Sequence, residues 1–159
     1  MMLKNKYYVN LLSFNLFGRN GKPTYYLRLN ETALEELTCK FAAFLDENFQ
    51  AKLKSNHGFF YLSAFSTKNQ PLIFEQIDFD LAQLPESNLV EVTFKLNIPT
   101  HLDNSAFPDK KLITYPKKKV RLRLSFSTQN VGDSYFQQDL EEGTFFNTII
   151  PIEKADFNG

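Results

Sequence analysis

The residues whose types and spacing could do chemistry lie in one basic segment, YPKKKVRLRLSF, which covers positions 115–126. The segment carries five positive charges and alternates polar with apolar residues, a pattern typical of a β-strand with one buried face. Such a strand places Lys119, Arg121 and Arg123 on one face at intervals of about 6.6 Å. Phosphates along a nucleic-acid strand repeat on a similar scale, and the planar guanidinium group of arginine can donate two hydrogen bonds to one phosphate. The segment therefore predicts contact with a phosphate polymer.

Aromatic rings accompany the basic residues, which is the combination that binders of single-stranded nucleic acid use. Bases stack on such rings for about 1–3 kcal/mol each, while the cations follow the phosphate backbone. We predict a non-catalytic binding module that contacts single-stranded nucleic acid through a basic, aromatic-bearing sheet face. The predicted phosphate-binding residues are Lys117, Lys118, Lys119, Arg121 and Arg123, extended by Arg19, Lys22 and Arg28, and the predicted stacking rings are Tyr26 and Tyr115.

The formal net charge is zero, but the charges are separated along the chain. Residues 1–30 contain five basic residues and residues 110–123 contain seven, whereas neither segment contains an acid. All 18 acidic residues lie elsewhere, beside only six basic ones. Because local potential selects partners more than net charge does, this separation supports a basic surface. If the N-terminal segment lies beside the 117–123 strand, the two form one patch.

Other interpretations of the basic strand stay open. A charged strand face is commonly just solvated, and lysines protect an edge strand from aggregation. The two arginines could instead form weak cross-strand pairs with Glu91, Asp78 or Asp80. An acidic protein could also bind the same face.

The alternative function is a protein-interaction or assembly component of the phage or mobile-element type. Its complementary acidic and basic surfaces could bind a second copy of the chain, giving a homo-oligomer, or another protein partner, without nucleic acid. The Phe-rich strands would then form the subunit interface, since the chain contains 17 phenylalanines.

The sequence contains no motif of a known catalytic class, so we predict that the protein is not an enzyme and uses no cofactor. Asp78 and Asp80 share one face of a predicted strand and could hold Mg²⁺, but an Asp-Phe-Asp sequence is more often a hydrated strand face. His57, His101 and Cys39 are too few for a zinc site, so we predict no metal. The single cysteine also excludes an intramolecular disulfide.

No run of about 18 apolar residues is present, so no segment is expected to span a membrane. Asn10, Ser13 and Asn15 interrupt the basic, partly apolar start of the chain, and no small-residue cleavage site follows. A secretory signal peptide is therefore not expected. We predict a cytoplasmic protein with no membrane contact.

The elements that must position these residues are mainly β-strands. We predict an α+β fold, either a curled antiparallel β-sheet or a small OB-like barrel or sandwich, with about seven strands in the order β-β-α-β-β-β-β-β. One long amphipathic helix is expected to flank or plug the sheet. With 159 residues the chain has the size of one domain, so we predict a single domain over 1–159 with a frayed tail at 153–159.

The first two strands are predicted to form a β-hairpin with a basic tip. Residues 6–17 and 24–30 carry the strand pattern, and they are separated by the turn sequence GRNGKP at 18–23. Within that turn, Asn20-Gly21 supplies the positive φ that a tight connection needs.

The helix is predicted over residues 31–54, with Asn30 as its N-cap. Apolar residues recur there at steps of three and four, which is one face of an amphipathic helix. These residues are Leu34, Leu37, Phe41, Phe44, Leu45, Phe49 and Leu53. Cys39 falls inside the same segment, so we place it in the helix as a buried small hydrophobe.

Every later element is predicted as a strand. The cleanest alternation is in LVEVTFKLNI (89–98) and KVRLRLSFS (119–127), where the apolar residues face inward and the polar residues outward. A long loop, Pro99–Tyr115, separates these two strands, and a polar, acidic connection occupies 128–142. The remaining predicted strands are 59–65, 72–81 and 144–152.

Overall fold

The computed structural model describes residues 3–18, 20–29, 35–53, 57–65, 71–98, 119–129 and 137–154. Across these residues the chain forms eight strands and two short α-helices, with a 3-10 turn at Leu81–Gln83. The strands are β1 (Asn10–Phe17), β2 (Leu27–Leu29), β3 (Glu35–Phe44), β4 (His57–Phe65), β5 (Pro71–Asp80), β6 (Leu89–Ile98), β7 (Lys119–Ser127) and β8 (Thr144–Lys154). The helices are α1 (Glu47–Lys52) and α2 (Gln137–Glu142).

The strands form two sheets, in the order β1-β3-β6 and β2-β8-β7-β4-β5. All pairings are antiparallel except that of β2 with β8, which is parallel. Among the described strands each sheet keeps two edges, so neither sheet closes into a barrel. The predicted mainly antiparallel β-architecture with few helices is therefore confirmed in its two-sheet version, whereas the OB-like barrel is wrong.

Aromatic side chains join the two sheets into one core. The ring of Phe41 in the three-stranded sheet lies 5.4 Å from that of Phe60 and 5.7 Å from that of Phe145, both in the five-stranded sheet. Phe60 in turn meets Phe126 edge-to-face at 5.1 Å. Such tilted and edge-to-face pairs stabilise the core by about 0.5–1.5 kcal/mol each beyond the area they bury. The Phe-rich composition is thus explained largely by packing between the sheets.

The predicted long helix over 31–54 is wrong, and most of its described part is strand β3. A period of two competes with the helical period in this segment, and every second residue is buried: Leu37, Cys39, Phe41, Ala43 and Leu45. Phe44, which the helical pattern placed inside, is 37% exposed. Pairing with β1 on one side and β6 on the other makes β3 the centre of its sheet, and these long-range contacts override the local periodicity. Cys39 is buried as predicted, but in a strand.

The helix that does form is α1, only six residues long. Asp46 is its N-cap, because the carboxylate accepts hydrogen bonds from the backbone N–H groups of Asn48 and Phe49. Phe49 is fully buried and carries the helix into the core, and Lys52 lies in the last turn. Asn30, the predicted N-cap, lies outside the described residues.

The predicted hairpin of the first two strands is also wrong, although its turn exists. Gly21 has a φ of +78°, and the N–H of Gly18 donates to the carbonyl of Lys22 at 2.9 Å, as a tight turn requires. Beyond a single bridge between Phe17 and Pro23, however, the two strands separate. β1 pairs with β3 and β2 pairs with β8, so the chain crosses from one sheet to the other at this point.

The alternation predicted for the later strands is confirmed in β6. Val90, Val92 and Phe94 are buried, whereas Glu91, Thr93 and Lys95 are exposed. α2 begins in the predicted polar connection, and β8 extends to Lys154, two residues into the predicted tail. The predicted long loop and residues 155–159 lie outside the described ranges. No helix in the described part of the chain is long and apolar enough to cross a membrane.

Candidate functional site on the outer face of the five-stranded sheet

Strand β7 carries the predicted cations on the sheet face that points away from the three-stranded sheet, here called the outer face. Its inward residues are fully buried as predicted: Val120, Leu122, Leu124 and Phe126. Lys119, Arg121 and Arg123 alternate with them and therefore share the outer face. The sequence prediction of which residues share a face is confirmed on this strand.

Exposure along the outer face does not follow the prediction. Lys119 is exposed and Arg121 is half-buried, but Arg123 is only 6% exposed and Ser125 is fully buried. The expectation that these polar residues face open solvent is therefore wrong for Arg123 and Ser125. An outward direction along a strand fixes only the face, whereas exposure depends on what else packs on that face.

Phe65 of β4 lies beside both arginines. It is the register partner of Arg121, and its ring centre lies 4.4 Å from the guanidinium carbon of Arg121 and 4.8 Å from that of Arg123. A guanidinium group at this distance from a ring is held by cation–π attraction and by dispersion. Because Phe65 itself is 6% exposed, its ring supports the two arginines and is not itself accessible for stacking on a base.

Ser63, two residues earlier on β4, is the register partner of Arg123. The hydroxyl oxygen of Ser63 and Nε of Arg123 are both buried, and neither has a hydrogen-bond partner. Buried polar atoms in proteins are almost always paired, so two unpaired atoms on directly opposite residues are unusual. Ser63 and Phe65 were missed by the sequence analysis, although the alternation of FFYLSAF places both on one face of β4.

Burial and a like charge act together on Arg123. Burial, and after it the positive charge of Arg121, lower the pKa of Arg123 to about 10. Glu141, an exposed residue of α2, opposes the shift. The guanidinium group of Arg123 is thus still protonated at neutral pH. Its charged form, however, is less stable in this buried position than in water.

The other end of the outer face is covered. Leu140 of α2 packs against Tyr61 of β4, both buried, and the Tyr61 hydroxyl donates to the carbonyl of Gln129 at 2.9 Å. Ser125 and Thr144 place their hydroxyl oxygens 3.3 Å apart beneath this helix. The outer face is therefore divided between an end covered by α2 and a basic end that carries Lys119, Arg121 and Arg123.

The N-terminal basic segment reaches the same sheet. β2 pairs with β8, and β8 pairs with β7, so one strand separates Arg28 from the basic strand. Two strand spacings give about 9.6 Å between the backbones of β2 and β7. Between them β8 presents Asn147 and Ile149, the register partners of Arg123 and Arg121, and Ile149 is 60% exposed. Arg28 itself is the register partner of Glu153.

The other predicted residues of the N-terminal segment lie at the turn and just after it. Lys22 is exposed, and its N–H donates to the Asn20 side-chain oxygen at 3.0 Å. Tyr26 is half-buried, and its carbonyl accepts from the Thr24 hydroxyl at 2.9 Å. Tyr25 beside it is 83% exposed. The remaining predicted site residues, Arg19, Lys117, Lys118 and Tyr115, lie outside the described residues.

The acids proposed as cross-strand partners of the arginines lie elsewhere. Glu91 is in β6, in the other sheet, and Asp78 is the register partner of Phe59. Phe59 is six residues along β4 from Phe65, which corresponds to about 20 Å of strand. Asp80 accepts a hydrogen bond from the N–H of Ala82 at 3.0 Å and caps the 3-10 turn. That interpretation of the basic strand is therefore wrong for these three carboxylates.

Within the described ranges, no three side chains of His, Cys, Asp or Glu come together as metal ligands. Asp78 instead accepts a hydrogen bond from Nε2 of Gln76 at 3.1 Å on the edge strand β5. This pair is a feature of a hydrated strand face.

Comparison with known proteins bears on the fold alone. No family model matches the chain, and no curated protein does. Among solved structures, it resembles the C-terminal domain of wzt with a TM-score of 0.53 and 9% identity, over 95% of this chain and 77% of that one. It overlaps more weakly with a putative beta-galactosidase from Bacteroides fragilis, with a TM-score of 0.42 and 11% identity over 90% of this chain and 17% of that one. The chain therefore shares the two-sheet fold of the wzt domain, at an identity too low to carry a function across.

Proposed function

We propose that this chain is a non-catalytic binding module that contacts single-stranded nucleic acid through the basic end of the outer face. The observation that supports the proposal is the sheet order β2-β8-β7, which puts Arg28 in the same sheet as the Lys/Arg strand, one strand away. Residues 28 and 121 are distant in sequence, yet a single strand separates them. We propose that cations from both segments contribute to one surface.

Lys119 and Arg121 are the cations proposed to meet the phosphate backbone first. Lys119 is exposed and Arg121 is half-buried over Phe65, and we propose that both contact a ligand on this face. Their spacing of about 6.6 Å is on the scale of the repeat along an extended phosphate backbone. Lys117, Lys118 and the N-terminal cations are proposed to extend the track.

Aromatic and apolar groups beside the cations supply the proposed contacts to bases. Tyr26 and Tyr115 remain the proposed stacking rings, and Tyr25, 83% exposed, adds a ring just before β2. Ile149 offers exposed apolar surface between β2 and β7. Stacking on aromatic rings tolerates any base, so the proposed binding has little sequence preference.

The test is a fluorescence-anisotropy titration of a labelled single-stranded oligonucleotide at two salt concentrations. The variant Lys119→Glu with Arg121→Glu reverses two charges on the proposed face. Lys40→Glu with Lys95→Glu is the matched control, because both lysines are exposed on the three-stranded sheet. Loss of two phosphate contacts should reduce the slope of log K against log salt by about 1.4. Binding that is insensitive to salt, or equal loss in both variants, would contradict the proposal.

The alternative function, an assembly component, can be tested on the same purified protein. On a sizing column, a large oligomer that resists salt and carries no nucleic acid would favour self-association through complementary charged surfaces. A high ratio of absorbance at 260 to 280 nm that falls when salt is added would favour nucleic-acid binding. A nucleic-acid-binding role also implies the cytoplasm, where fractionation should find the protein.

A further inference from the structure

The unpaired atoms of Ser63 and Arg123 form a small polar site at the basic end of the outer face. The two residues are register partners on β4 and β7, so their Cβ atoms are about 4.5–5.5 Å apart. Arg123 is 6% exposed and Ser63 is 2% exposed, and Nε of the first and Oγ of the second have no hydrogen-bond partner. The site thus combines an unused N–H donor with an unused hydroxyl.

The chemistry of these groups selects an anionic acceptor. Nε of arginine can only donate, whereas a hydroxyl can donate as well as accept, so an oxygen with several lone pairs can satisfy both. Arg121 brings a second positive charge to the same Phe65 ring, and among the described residues Glu141 is an acidic group whose field reaches Arg123. A negative ligand would relieve the repulsion between the two guanidinium groups. Arginines in pairs match the oxygens of phosphate especially well.

We propose that Arg123, Ser63 and Arg121 bind one phosphate group, with Phe65 holding the two guanidinium planes in place. When that phosphate belongs to a nucleic-acid backbone, the inference rests on the proposed function and supplies its anchoring contact. Free inorganic phosphate offers the same chemistry. A phosphate of a nucleic-acid backbone and free inorganic phosphate are therefore distinguished by experiment.

The experiment measures the thermal unfolding midpoint of the full chain in increasing inorganic phosphate at constant ionic strength. Phosphate is excluded from protein surfaces and raises the midpoint of any protein without saturating, so the variants are compared with one another. Binding to the folded state alone adds a saturable increase. Arg123→Met removes the donor, Ser63→Ala removes the hydroxyl, and Lys95→Met is a control on the other sheet. Arg123→Lys keeps the charge without the planar fork, in case Arg123→Met does not fold.

The expected result is a saturable increase in the wild type and in Lys95→Met. The increase should disappear in Arg123→Met, shrink strongly in Arg123→Lys, and need about fivefold more phosphate in Ser63→Ala, as for one lost hydrogen bond. An equal response in every variant, or no saturable response in the wild type, would overturn the site. The oligonucleotide titration is scored separately: saturable phosphate binding without oligonucleotide binding supports the site and contradicts only the nucleic-acid proposal.

Discussion

Arg121 lies over the ring of Phe65, with its guanidinium carbon 4.4 Å from the ring centre, and the two residues are register partners across β7 and β4. Arg123 uses the same ring at 4.8 Å. Two like charges on one aromatic support keep their positions without a ligand. Such preorganisation lowers the entropy that a ligand must remove on binding.

Replacing Phe65 with Leu should weaken oligonucleotide binding without changing any charge. The ring holds each guanidinium group by about 0.5–1 kcal/mol, so losing this preorganisation should weaken binding by at most about two- to fivefold for each. Phe65→Tyr keeps the ring and should keep most of the binding. Anisotropy titrations of both variants, with urea unfolding to confirm that each is folded, provide the measurement. Equal affinity of the Leu and Tyr variants would show that the ring plays no part.

Arg123→Met should stabilise the folded protein in the absence of ligand. A buried charge with an unpaired Nε is destabilising, and methionine fills similar volume without a charge, so the free energy of unfolding should rise by about 1 kcal/mol or more. Urea unfolding at neutral pH measures the change, with Lys95→Met as the exposed control. Destabilisation by Arg123→Met alone would mean that the guanidinium group is a structural anchor instead of a ligand-binding group.

The stability difference between wild type and Arg123→Met should narrow at high pH. Burial and the charge of Arg121 lower the pKa of Arg123 to about 10 in the folded state, so above about pH 10 the unfolded state binds more protons than the folded state. The free energy of unfolding of the wild type therefore rises as the pH increases above about 10. Below about pH 10 Arg123 is protonated in both the folded and the unfolded state, so the destabilisation that its charge causes is constant. Comparing the two proteins cancels the titration of other groups. A difference that stays flat up to pH 12 would contradict the lowered pKa.

Cys39 should react slowly with thiol reagents while the protein is folded. Burial raises its pKa from 9.0 to about 12, and the thiolate is the reactive form. Below pH 9 the thiol is protonated in both states, whereas between pH 9 and 12 only the unfolded state loses its proton, so stability falls over this range. Labelling by an aromatic disulfide should be at least a hundredfold faster in urea than in buffer. Comparable rates in both would show that the centre of β3 opens readily.

The sequence predicted well which face of a strand is buried, but it predicted poorly which strands pair with one another. Alternation along β7 and β6 identified the buried face of each strand, because strand geometry fixes it residue by residue. The same principle was available for β3, where every second residue from Leu37 to Leu45 is buried, but the helical period fitted the sequence as well. Pairing with β1 and β6 is what selects the strand over the helix. That pairing depends on distant parts of the chain, so the segment alone does not reveal it.

The candidate site shows the same division. Lys119, Arg121 and Arg123 were predicted to share a face, and they do. Their environment came from elsewhere: Phe65 and Ser63 belong to β4, and their partners on β7 follow from a register that no local pattern reveals. The burial of Arg123 was therefore not predictable from the alternation of its own strand.

Gly58→Ala should destabilise the fold much more than Gly18→Ala. A Cβ at Gly58 would overlap the ring of Phe126 on the neighbouring strand. That ring is fully buried and held edge-to-face by Phe49 at 5.0 Å and Phe60 at 5.1 Å, so it has no room to move. Overpacking of this kind destabilises by about 1–3 kcal/mol. Urea unfolding should show that loss for Gly58→Ala and little change for Gly18→Ala, whose added Cβ meets its nearest atom at 3.5 Å. Equal stability of the two variants would show that the aromatic core can repack around the extra methyl group.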